Sequence, residues 1–83
     1  MKPTVPTEPL PTPTVTESEL QDSKEFLVST YGFSDKDLEG LNTEAFVDDY
    51  RLRTRDYSSE KVHSFLERNR DIYALSNYAV VED

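Results

Sequence analysis

Eighty-three residues allow one small domain, and a formal net charge of −8 argues against generic nucleic-acid binding, which needs cations to displace phosphate counterions. The chain has no cysteine, so neither a disulfide nor a thiolate metal site is available. No apolar run approaches the roughly 20 residues that span a bilayer, and residues 1–6 hold no apolar segment of the signal-peptide kind. A soluble protein, intracellular where it is made, is expected.

The charge is unevenly placed. Residues 1–16 hold only Lys2 and Glu8, which cancel, and residues 50–83 balance six acids with six bases. The whole excess lies in residues 17–49, where ten acids face Lys24 and Lys36. That half is compatible with a basic partner, and equally with no more than solubility.

In chain order, the opening is a Pro/Thr segment with all five prolines, at positions 3, 6, 9, 11 and 13. Proline fixes its own φ and moves its predecessor out of the helical region, so an extended, polyproline-II-like arm is expected over residues 1–15. Only Val5 and Leu10 add substantial aliphatic side chains to it. Pro3, Val5, Pro6, Pro9, Leu10, Pro11 and Pro13 are therefore the candidate partner contacts of the arm. The Pro3–Pro6 and Pro6–Pro9 spacings match PxxP, yet the flanking base that orients an SH3 ligand is missing.

From Val15 one device recurs four times: an apolar residue, a Ser, Thr or Asn cap, and an apolar residue four positions after the cap. The sets are Val15-Thr16 with Leu20, Phe33-Ser34 with Leu38, Leu41-Asn42 with Phe46, and Tyr57-Ser58 with Val62. Each is a hydrophobic staple around a helix N-cap, and Glu19 and Asp37 reinforce the first two. Gly32 and Gly40 suit the left-handed residue that ends a helix. Helices are thus predicted at about 17–31, 35–39, 43–55 and 59–77. The fold class is all-α: a small bundle of three main helices and one short helical turn over residues 16–83, with the arm before it. In the last helix Val62, Phe65, Leu66, Ile72, Tyr73 and Val80 share one stripe at about 100° per residue, which makes it the expected wall of the core. Helix one presents Leu20, Leu27 and Tyr31, flanked by Phe26 and Val28, and helix three presents Phe46, Val47 and Tyr50.

Few constellations carry chemistry. Asp35, Asp37, Glu39 and Gly40 imitate the first half of an EF-hand loop, but the position of its bidentate Glu is Phe46, so no calcium site is expected. His63 is the one histidine, placed near the polar border of its helix and expected to be solvated. No carboxylate is set in an apolar pocket that would raise its pKa. No enzyme, metal or cofactor is expected.

Arg51, Arg53 and Arg55 form the one basic cluster, at a helix C-terminus where cations complement the dipole. Asp49 can pair with Arg53 and Asp48 with Arg51, and contact with an acidic partner or a phosphate is the functional alternative. Asn69 interrupts the apolar stripe, either hydrogen-bonded in the core or at a wet interface. Tyr73 and Tyr78 are aromatics of the kind favoured in interface cores. Arg51, Arg53, Arg55, Asn69, Tyr73 and Tyr78 are the candidate partner contacts of the helices.

The turn from Tyr31-Gly32-Phe33 to Leu41 resembles small helical modules of bacteriophage structural proteins, which implies a virion component. Two functions remain. One is a structural or adaptor subunit of a larger assembly, bound to other protein subunits (further copies of itself included) with no nucleic-acid contact and no membrane. The other is an acidic inhibitor that offers residues 17–49 to the basic groove of a nucleic-acid-processing enzyme.

Overall fold

The computed structural model describes residues 13–82. Pro3, Val5, Pro6, Pro9, Leu10 and Pro11 lie outside the described residues. The chain is mostly helical: β1 (Thr14–Thr16), α1 (Glu17–Tyr31), α2 (Asp35–Leu38), α3 (Thr43–Arg53), α4 (Ser59–Asn69), two 3-10 turns at Arg70–Tyr73 and Leu75–Asn77, and β2 (Ala79–Val81).

The helix starts follow the caps. Thr16 Oγ1 accepts the Glu19 amide at 3.1 Å, and Asn42 Oδ1 accepts the Ala45 amide at 2.9 Å. Ser34 and Asp37 form a reciprocal capping box, so the Asp37 carboxylate is committed to the Ser34 backbone and hydroxyl. Those bonds hold the Asp37 carboxyl below the usual range. Ser58 occupies the cap position of α4 without a side-chain bond. α1 ends at Gly32, whose φ of 74° only glycine adopts at little cost, and the amides of Gly32 and Phe33 return to Val28 and Leu27.

Two expectations fail at the ends of the domain. The all-α reading misses a two-stranded parallel sheet in which Thr14, Val15 and Thr16 pair with Ala79, Val80 and Val81. Five of the six strand residues, all but Ala79, are β-branched, which favours extended backbone. The Ala79 amide also donates to the Pro13 carbonyl at 2.9 Å, and Val15 is buried, so the end of the expected arm is part of the domain.

The last helix does not run to 77. It stops at Asn69, whose Nδ2 donates at 2.9 Å to the Phe65 carbonyl of its own helix. The chain then turns so that residues 73–75 clasp residues 40–42. The Asn42 amide donates to the Tyr73 carbonyl at 2.6 Å, and the Leu75 amide to Gly40 at 2.8 Å. Ile72, expected on the buried stripe, is therefore 58% exposed, and Val80 is exposed as well.

The core is built around Phe46, which is 0% exposed. Its ring lies 5.5 Å from Tyr73 edge-on, 5.6 Å from Phe65 and 6.1 Å from Tyr50. Leu27, Phe33, Leu38, Leu41, Val47, Val62 and Leu66 complete the cluster, while Phe65, expected to be deeply buried, is only partly so.

Tyr73, read from the sequence as a partner contact, is a core residue at 3% exposure. Its hydroxyl donates to Asp49, which also accepts from Arg53 Nε at 2.6 Å. The Tyr73 hydroxyl first, and then the Arg53 bond, hold the Asp49 carboxyl below its ordinary range. Such a group stabilises the fold above the unfolded carboxylate pKa, and the benefit disappears as pH falls through the folded one. Tyr73→Phe keeps the ring and should cost about 1–2 kcal/mol near neutral pH, discounted because Asp49 is partly exposed. In melts followed against pH, that deficit should shrink as Asp49 becomes protonated. A deficit that persists unchanged at acid pH would assign it to packing.

Candidate functional site

Between α1, α3 and the start of α4 lies a cleft of about 240 Å³. Its floor is Leu27, Phe46, Val47 and Val62, the inward residues of three helices. Its walls are aromatic: Phe26 and Tyr31 from α1, Tyr50 from α3 and Tyr57 from the loop before α4. Arg51 closes one side with its guanidinium 5.0 Å from the Phe26 ring centre, a cation–π distance. Tyr57 is 53% exposed and forms the open rim.

Three contacts hold this cleft in shape. The Tyr50 hydroxyl donates to the Asp56 carbonyl, which fixes the loop that carries Tyr57. Ser59 Oγ and His63 Nε2 both donate to the Tyr31 carbonyl at 3.2 Å, tying the end of α1 to the start of α4. His63 is thus not the solvated side chain expected: it is half-buried and stacks on Phe33 with ring centres 3.9 Å apart. Burial raises the Tyr31 hydroxyl pKa, which keeps that hydroxyl neutral. The lining holds no carboxylate and no histidine, and it can bury apolar side chains while offering hydroxyls at the edge.

Beside it, across Arg51, a shallower groove between α1 and α3 is lined by Glu19, Asp22, Glu44 and Asp48. The carboxyl groups of Glu19 and Glu44 face this groove as neighbours close enough to couple through a shared proton. That coupling first, and then burial, push Glu44 up to about 7, and the same coupling holds Glu19 below its usual range. From the sequence only an apolar pocket is considered as a cause of such a shift, and here the first cause is a neighbouring acid.

The arginines and polar residues singled out in the sequence do not converge. Arg51 is on the cleft, Arg53 is paired with Asp49, and Arg55 lies exposed beyond the end of α3. The expected Asp48–Arg51 pair is absent from the ion pairs among the described residues, since Arg51 turns to Phe26 instead. Asn69 bonds its own helix, and Tyr78 is half-buried against a hollow that it shares with Pro13 and Asn42. Phe26, Tyr31 and Tyr57, which make the rim, were read as helix faces and a staple. The legible signal was their excess: they are aromatics beyond what one small core encloses.

No protein-family model, no curated protein and no solved structure matches the chain.

Proposed function

We propose that the protein is a non-enzymatic structural or adaptor subunit that docks to another protein of a larger assembly through the aromatic cleft. The observation that carries this reading is an apolar cleft of about 240 Å³, walled by four aromatic rings and edged by the exposed Tyr57. Aromatic side chains with polar tips concentrate in the buried centres of interfaces, where a rigid ring is ordered at little entropic cost. The Pro/Thr arm suits the same role, as an extended segment laid along a neighbour. A virion component is its most concrete form, on the resemblance of the Tyr31–Leu41 turn.

The second reading is an acidic inhibitor of a nucleic-acid-processing enzyme, and the groove of Glu19, Asp22, Glu44 and Asp48 favours it. The two readings place binding on different side chains. Tagged protein is used to capture partners from the native source, which are identified by mass spectrometry. Tyr57→Ala should weaken retention of the partner about tenfold or more, the scale of an interface hot spot, with the melt unchanged. Asp22→Asn together with Asp48→Asn should leave retention intact. Retention that survives Tyr57→Ala and fails on neutralising the acids would overturn the adaptor reading in favour of the inhibitor.

A further inference from the structure

We infer that the anchor a partner protein places in the aromatic cleft is an apolar side chain joined closely to a carboxylate, the side chain seated on the floor and the carboxylate received by Arg51. This rests on the cleft being the docking site and names the chemistry of what enters it.

The size of the cleft sets the apolar half of the anchor. An apolar cavity of about 150 Å³ is enough to hold benzene. A cleft of about 240 Å³ floored by Leu27, Phe46, Val47 and Val62 therefore takes one aromatic or branched aliphatic side chain and little else.

The polar half follows from what the edge leaves unused. Among the described residues the tyrosine hydroxyls that donate are those of Tyr50 and Tyr73, and the arginines whose side chains donate are Arg53, Arg68 and Arg70. The Tyr31 and Tyr57 hydroxyls and the Arg51 guanidinium keep their donors to offer, and Arg51 belongs to neither ion pair of the described residues. These groups converge, since the Tyr31 hydroxyl lies within electrostatic reach of both Tyr57 and Arg51. The guanidinium is also positioned in advance, 5.0 Å from the Phe26 ring centre. Its planar fork of donors matches a carboxylate, and stacking on a ring reduces the freedom lost when the pair forms. An edge of donors around an apolar floor, with one cation and no acid in the lining, complements an apolar anion.

The acids nearby act from outside. Glu19, Asp22, Glu44 and Asp48 lie across Arg51 and none of them lines the cleft. Their charges are screened over about 8 Å at physiological salt, whereas Arg51 meets the carboxylate at contact distance.

The test titrates two probes, N-acetyl-phenylalanine and N-acetyl-phenylalaninamide, into the full isotope-labelled chain near neutral pH and at about 0.15 M salt. They share the ring and differ in the carboxylate, and the readout is the NMR shifts of the Tyr57 ring and the Arg51 side chain. The carboxylate probe should bind on the order of millimolar and about fivefold more tightly than the amide. In Arg51→Gln the amide should bind as before, which shows the cleft intact, and the fivefold preference should vanish. Equal affinities in the wild type, a preference that survives Arg51→Gln, or no binding of either probe would overturn the inference. Loss of both probes alike in Arg51→Gln would assign Arg51 to the shape of the cleft and overturn it too. Tighter binding of phenethylammonium would replace it with a basic anchor drawn to the neighbouring acids. Decanoate entering the cleft where N-acetyl-phenylalanine does not would replace the protein segment with a free fatty acid. None of these titrations uses the partner. A missing carboxylate preference, with capture still lost in Tyr57→Ala, strikes this inference alone, whereas capture that ignores Tyr57 strikes the adaptor reading.

Discussion

Phe46→Ala is expected to lower stability by about 3–5 kcal/mol, the cost of removing a buried aromatic and leaving its cavity. Phe46 has no exposed surface, and three aromatic rings pack on it from α3, α4 and the turn that follows α4. Those rings are themselves tied down, Tyr73 to Asp49 and Tyr50 to Asp56, so they cannot collapse into the space. A domain of this size has a total stability of about 4–10 kcal/mol. The variant should therefore be largely unfolded at 37 °C, with loss of cooperative helical melting by circular dichroism. A melting temperature within a few degrees of the wild type would show that the aromatic cluster is not the centre of the core.

The second large effect divides the C-terminal third in two. Leu66→Ala should cost about 2–5 kcal/mol, since Leu66 is buried against the core from the last ordered turns of α4. Ile72→Ala, six residues on, should stay within about 0.5 kcal/mol, as expected for an exposed side chain. A continuous helix through residue 77 would make both substitutions costly, because both positions would face inward. Urea titrations of the two variants side by side decide between these geometries.

The same contrast shows what local sequence could and could not convey. Helix starts at Thr16, Ser34 and Asn42 were legible because a cap is a local event, settled by one side chain and an amide three residues on. The stops at Gly32 and Gly40 were legible for the same reason, since both have the positive φ that glycine favours. The end of α4 was not. A helical stripe continued past Asn69 on paper, and what overrides it is the bonding of residues 73–75 to residues 40–42, which no window along the chain contains. Pairing of β1 with β2 was hidden likewise. Thr-Val-Thr and Ala-Val-Val are too short to read as strands until each is seen to lie beside the other. The candidate site was legible as a surplus of aromatics and illegible as a place, because Phe26, Tyr31 and Tyr57 meet only where α1, α3 and the loop before α4 converge.

The parallel ladder between β1 and β2 also sets the order of events as the protein is made. Position 14 emerges from the ribosome well before its partner in the ladder at position 79, which is synthesised 65 residues later. Until residues 79–81 are free of the exit tunnel, Val15 and the flank of α1 have nothing to close against, although the caps allow each helix to form transiently. Joining strands so distant in sequence requires the largest loop closure in the fold, and that entropy is lost before the contact returns anything. Closure of the ladder should be a late and slow step of folding, and the two ends of the domain the first to open under load.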